Sequence, residues 1–258
     1  MKKITSICLL SLFLLSLMTF PGFGQKATDF LEKVIKARGG RKVLESIKDT
    51  SISGFWEFTH ILIKKEVKEP ASIPMKFYYK EPNKFRLDLE LRGKKTTMQA
   101  FDGETAWKIN PQTGIAEEES SEELKKLAMI QAFNFGNSAF LNPEKYGITY
   151  TYKGKENIGA EKKEWIKYIT DLFGIKDYFV LDQFLSDGNK VSLCVDSKTY
   201  LIFLVETEWH IIFYNYKKVD GVMFAHSMSF IREQFYNLTF TEVKFNSGLE
   251  DSLFKMSK

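Results

Sequence analysis

Three histidines, a cysteine and a short run of carboxylates are the residues from which this chain would have to build chemistry. His60, His210 and His226 stand far apart in sequence. Each reads as a strand-surface or hydrogen-bonded histidine rather than a ligand or a base. Two cysteines and three histidines do not make a Cys/His zinc site of the usual spacing. There is no G-x-S-x-G, no H-E-x-x-H and no phosphate-cradling loop. Asp88 and Glu90 alternate with Leu87, Leu89 and Leu91, and Arg86 and Arg92 stand on the same charged face to pair with them. An acid–base pair needs burial to shift a pKa, and that pattern predicts exposure. Cys194 shares a strand face with Ser192, opposite Val191, Leu193 and Val195, without a cation on that face to stabilise a thiolate. No catalytic residue, no metal and no cofactor are expected, and a hydrolase lacks its nucleophile–base constellation.

The elements that carry these residues are mostly strands. Phe30, Leu31, Val34 and Ile35 have helical spacing, so a helix is predicted over 28–38, ended by Gly39-Gly40. A second short helix is predicted from Arg41 to Ile47. From Ser51 the period becomes two, with Ile52, Gly54, Trp56 and Phe58 on one side. The clearest strand is 85–92, with a dry face of Phe85, Leu87, Leu89 and Leu91, as in an antiparallel sheet solvated on one side. Asp102-Gly103 marks a hairpin. Ser120 and Glu123 have capping-box spacing, which opens a helix over 121–133 carrying Leu124, Leu127, Ile130 and Phe133. The acidic run at 117–119 reads as a solvated turn. Strands resume near 147–153 and continue to 236–246, and Gly248 to Phe254 reads as a tail docking on the rim. The pattern lacks a βαβ rhythm, which argues against a parallel doubly wound sheet.

Residues 1–24 have a basic start, an apolar run over 4–20 and small residues before Gln25. They read as a secretory signal peptide cleaved near Gly24, so a periplasmic location is expected, with one domain over 25–258. Cleavage removes Cys8 and leaves Cys194 alone, a thiol best kept buried in an oxidising compartment. The chain has 37 Lys+Arg against 33 Asp+Glu. That small surplus, without a dense basic track, argues against a nucleic-acid partner. The 23 Phe and 11 Tyr supply much apolar area to bury or to offer to a ligand. The fold class that follows is mainly β with α: a single-domain, curved antiparallel half-barrel of about 10–11 strands, with helices over its apolar concave face.

Two stretches carry a family resemblance. One is Tyr79-Lys80-Glu81-Pro82-Asn83-Lys84-Phe85-Arg86, and the other runs from Phe101-Asp102-Gly103 through Trp107 to Asn110-Pro111. Their order and spacing resemble the LolA-like family of periplasmic lipoprotein carriers, and the helix at 121–133 falls where that family places its lid. The resemblance implies an unclosed half-barrel that shields acyl chains from water between two membranes. It implies an acylated lipoprotein or lipid as cargo, transient inner-membrane donor and outer-membrane acceptor proteins, a monomer, and no cofactor. Two departures stand out. The carriers place an arginine, which helps control lid opening, directly before the motif proline; here that position is Glu81. The chain also has an extended segment at about 155–180. Both point to a wider relative rather than the simplest carrier.

Strand parity and helix face put Phe58, Phe77, Phe85, Leu87, Leu89 and Trp107 in the cavity wall, with Leu124, Leu127, Ile130 and Phe133 on the lid. The alternative on the same fold is an envelope lipid-sensing or protein-binding module without transfer activity. A membrane β-barrel fits less well, because the helix and the shorter strands do not suit a tilted span.

Overall fold

Apolar residues at 27, 30, 31, 34 and 35 put one stripe along a helix, and that stripe is what the sheet wraps. In the computed structural model, which describes residues 23–59, 72–118, 137–157, 173–186, 188–207, 210–231 and 235–256, helix α1 spans Phe23–Ala37. Ala27, Phe30, Leu31, Val34 and Ile35 are all buried. Each of the large ones is worth about 1.5–3 kcal/mol of burial. The helix starts five residues before its predicted beginning and stops where expected: the Gly40 amide donates to the Ile35 carbonyl at 2.9 Å, with φ of 132° at Gly39 and 87° at Gly40. Gly39 is required there twice over, since a Cβ would also meet the Gly221 carbonyl oxygen at 2.6 Å. Helix α2 follows at Arg41–Ser46.

The thirteen strands among the described residues lie in one sheet, and every neighbouring pair is antiparallel. They are β1 (Asp49–Thr59), β2 (Ser72–Lys80), β3 (Lys84–Leu91), β4 (Lys94–Phe101), β5 (Ala106–Ile109), β6 (Ala116–Glu118), β7 (Thr149–Asn157), β8 (Asp177–Phe184), β9 (Lys190–Asp196), β10 (Ile202–Glu206), β11 (His210–Val219), β12 (Val222–Ile231) and β13 (Phe235–Phe245). The order is β6-β5-β4-β3-β2-β1-β13-β12-β11-β10-β9-β8-β7. Within the sheet, the two meanders β1–β6 and β7–β13 meet at the β1–β13 pair. The two outermost strands, β6 and β7, do not pair with each other, so the sheet stays open. The connection over 119–148 leads from one edge to the other. Its described end is helix α3 (Ser138–Leu141) and a 3₁₀ turn at Pro143–Tyr146.

The sheet exceeds the expected 10–11 strands. Part of the excess is β6, which occupies most of the acidic run expected to be a turn. Glu117 and Glu118 pair with Lys108 and Trp107. A three-residue edge strand is too short for alternation to show in sequence. The Asp102-Gly103 hairpin forms as predicted, with Asp102 Oδ1 accepting the amides of Glu104 at 2.9 Å and Thr105 at 2.7 Å.

The main core fills the concave side. It holds the buried stripe of α1, Leu44, Phe140 and Leu141, and inward residues of both meanders from Phe101 to Leu185. Phe30 sits at its centre, stacked on Tyr152 at 4.7 Å and edge-on to Phe179 at 5.1 Å. A second, smaller core lies on the opposite face, where Tyr178, Val180, Cys194, Leu204 and Ile212 pack with Phe173 and Ile175. The Cys194 thiol is thus buried, as expected. Phe173 and Ile175 belong to the extended segment, which gives part of that insertion a structural use. Among the described residues no helix is long and apolar enough to cross a membrane.

Candidate functional site: the concave face

Register decides which side chains line the interior. Across β3, β2, β1 and β13 the inward rows are Leu87–Phe77–Ile52–Val243 and Leu89–Met75–Gly54–Phe240. The next row out runs through Ile73, Trp56 and Leu238, and continues along β12 to Met228. At Gly54 the β1–β13 ladder bulges, and a Cβ there would meet the Thr239 carbonyl oxygen at 2.1 Å. Only glycine allows the two strands to stay that close.

The rows differ in exposure. Ile52, Met75, Phe77, Phe85 and Leu89 are buried. Leu87, Leu91, Ile73, Trp56, Leu238 and Phe230 are only half-buried, though all pack on the core. These six belong to adjacent strands from β3 to β12. Ile73, Trp56 and Leu238 share one row, Leu91 and Phe230 flank its ends, and Leu87 stands beyond the buried Leu89; together they make an apolar strip on the concave side, with Trp56 edge-on to Tyr236 at 6.0 Å. This strip is still partly in contact with water.

Of the predicted wall residues, Phe77, Phe85 and Leu89 lie in the main core and Leu87 lies in the strip. Phe85 packs at 6.4 Å from Phe101 and closes the floor rather than facing open space. Phe58 falls in β1 opposite Tyr236, but its side chain lies outside the described residues. The lid residues Leu124, Leu127, Ile130 and Phe133, and His60, also lie outside them.

Trp107 is a correction. Its strand pairs Ala106 with Phe101 and Trp107 with Ala100, so Ala106 points into the main core and Trp107 points away from it. Its indole N–H donates to the Phe254 carbonyl at 2.7 Å, and the Arg86 guanidinium lies 5.6 Å from its ring. Phe254 is itself fully buried. The C-terminal tail therefore docks on the outer face of β2–β5, not on the rim. Further contacts hold it: Arg86 Nη1 donates to the Leu253 carbonyl at 2.9 Å, and Lys80 and Lys84 each reach Asp251 at 2.8 Å. Those two hydrogen bonds hold the Asp251 carboxyl below the usual range, at about 2.

The predicted charge pairing on β3 forms, with Arg86 Nε donating to Asp88 Oδ1 at 2.8 Å. His226 is buried, with Nδ1 3.1 Å from the Phe224 carbonyl. Among the described residues no cluster of three or more His, Cys, Asp or Glu could hold a metal. A cleft of about 250 Å³ beside the Gly54 bulge is lined by outer-face groups such as Phe55, Lys76, Tyr78, Asp88 and Glu90, and is separate from the apolar strip.

The described end of the edge-to-edge connection is tied down at Asn137. Its amide donates to Glu81 Oε1 at 2.7 Å. Its side chain accepts from Arg38 Nη2 at 3.2 Å and donates to the Leu44 carbonyl at 3.4 Å. Sequence reasoning singled out Glu81 only as a departure. Strand alternation contained Trp56, but the cross-ladder partners Leu238 and Phe230 needed the sheet order.

No protein-family model and no curated protein matches the chain. Solved structures do. A DUF1329 family protein from Desulfovibrio piger is 13% identical with a TM-score of 0.55, covering 89% of this chain and 97% of that one. A LolA superfamily protein from Nitrosomonas europaea is 12% identical with a TM-score of 0.55, over the same shares of the two chains. At such identities the likeness is one of fold: the chain has a LolA-like fold, an open antiparallel half-barrel.

Proposed function

We propose that this chain is an acyl-chain carrier of the cell envelope, which holds the chains of lipoproteins or related lipids on its concave face between inner and outer membrane. The observation that carries the reading is the strip of half-buried apolar side chains, Leu87, Leu91, Ile73, Trp56, Leu238 and Phe230, inside a sheet that does not close. Each methylene withdrawn from water is worth about 0.8 kcal/mol. A strip spanning adjacent strands therefore offers an acyl chain a large gain without any covalent step. The fold shared with a LolA superfamily protein supports the same reading, as does the signal-like N-terminal segment. The carrier works without a cofactor or a catalytic residue. It meets a membrane donor and acceptor only transiently.

The test is uptake of a fluorescent acyl probe by the purified protein. The reading predicts saturable binding that Leu87→Asp weakens while the β-sheet circular dichroism is kept. No binding by the wild-type chain would refute it.

A further inference from the structure

Arg38 lies just past the end of α1 and is 9% exposed. A buried guanidinium ordinarily faces a carboxylate, because an unpaired charge out of water is costly. Among the described residues Arg38 has none. Its guanidinium donates to the neutral amide oxygen of Asn137 at 3.2 Å and lies 5.4 Å from the Phe140 ring. The titratable groups facing it are two phenols, Tyr150 and Tyr216. Burial pushes the Arg38 pKa down and both tyrosine pKa values up, so at neutral pH both phenols are uncharged and neither balances the cation.

Of the neighbouring polar groups, Tyr216 is satisfied and Tyr150 and Gln183 are not. The Tyr216 hydroxyl donates to the Ile202 carbonyl at 2.5 Å. The Tyr150 hydroxyl is shut off from water and has no hydrogen-bond partner among the described residues. Directly opposite Tyr150 on β8 is Gln183, which is completely buried with both amide atoms unpartnered. Leu181 and Leu185, on the same face of the strand as Gln183, belong to the main core, so the amide points inward. Arg38 thus has one neutral side-chain acceptor for its guanidinium donors, while the Tyr150 hydroxyl facing it and the Gln183 amide opposite Tyr150 have no partner among the described residues. Orphaned polar groups at this depth call for a missing partner, and the partner that satisfies three donors is an anion.

We infer that Arg38, Tyr150 and Gln183 form an internal seat for the anionic head of an amphiphile, a carboxylate or phosphate whose hydrocarbon chain lies along the apolar interior. The inference rests on the carrier reading and specifies the cargo: chains that end in a negative head, rather than neutral esters. Charge-assisted hydrogen bonds provide the selectivity.

The experiment is a set of binding titrations with four probes: palmitate, dodecyl phosphate, methyl palmitate and inorganic phosphate. The wild-type protein should bind palmitate or dodecyl phosphate roughly 10- to 100-fold more tightly than methyl palmitate. Arg38→Met should abolish that preference, so that palmitate and methyl palmitate bind alike. Tyr150→Phe and Gln183→Leu should each reduce it without lowering the thermal midpoint, since each removes a buried polar group that lacks a partner. Inorganic phosphate binding as tightly as the amphiphiles would overturn the inference in favour of a free-anion site. Equal affinity for palmitate and its methyl ester would overturn it and leave the carrier reading standing, with water as the occupant of the polar group. Failure of every acyl probe to bind would overturn both.

Discussion

The Glu81 carboxylate accepts the backbone N–H of Asn137 at 2.7 Å. It links the turn between β2 and β3 to the point where the chain returns to the described structure before α3. Asn137 in turn joins Arg38 and Leu44, so one residue ties the connection between the sheet edges to both helical pieces below it. The Glu81 amide donates to the Lys48 carbonyl at 2.9 Å, which fixes the turn against β1. A glutamate at the position where the resembling carriers have an arginine is therefore used as an acceptor, on a backbone amide that any side chain at 137 would present.

That link makes a local prediction. Glu81→Ala removes a hydrogen bond to a charged acceptor, worth about 1.5–3 kcal/mol. Hydrogen exchange at the Asn137 amide should accelerate by roughly 10- to 100-fold, with little change at strands such as β9. Unchanged exchange at Asn137 would show that the carboxylate does not hold this segment.

The two faces of the sheet should respond differently to mutation. Trp107→Phe loses the indole donor to the Phe254 carbonyl, at a cost of about 1 kcal/mol. It should lower the denaturation midpoint and leave acyl-probe affinity intact. Ile73→Asp, on the strip, should lower probe affinity by at least roughly 10-fold, because it places a charge where acyl methylenes would lie. If Trp107→Phe weakened probe binding as much as Ile73→Asp, the assignment of faces would fail.

Phe30 is the ring around which α1 and the second meander pack, within 4.7–6.0 Å of Tyr152, Phe179 and Tyr200. Phe30→Ala should cost about 3–5 kcal/mol through lost burial and the cavity left behind. Chemical denaturation measures it. A cost below about 1 kcal/mol would mean that α1 is not integral to the core.

The tail carries a pH signature. Hydrogen bonds from Lys80 and Lys84 hold Asp251 at about 2, below its usual 3.8. Its contribution is fully present above the usual carboxylate pKa and is lost as pH falls from about 4 through 2. The pair is exposed, so the effect is small and weakened by salt. The difference in thermal midpoint between wild type and Asp251→Asn should be present at pH 7 and shrink below pH 4. A difference that grew on acidification would contradict the assignment.

Legibility from sequence followed the length of each pattern. The stripe of α1 and the alternation of β3 repeat often enough to fix a face, and both came out in the expected orientation. Trp107 did not, because β5 holds four residues and alternation over four residues cannot tell which side is the core. What settles it is the Phe101–Ala106 pairing, a relationship between strands. β6 is shorter still. The strip was half visible: Leu87 follows from β3 alone, whereas Leu238 and Phe230 join it only because β13 pairs with β1, close to 190 residues away along the chain. Nothing in the sequence singled out Arg38, since one arginine after a helix reads as a capping cation until its neutral partner Asn137 is seen.

The most direct test of the carrier account is native mass spectrometry of the protein purified from its own cells, followed by solvent extraction and lipid analysis. The account predicts a co-purifying acylated species in near-stoichiometric amount, lost in Leu87→Asp. A protein that emerges empty, and takes up no acyl probe afterwards, would contradict it and leave the concave face as a surface for a protein partner in the envelope.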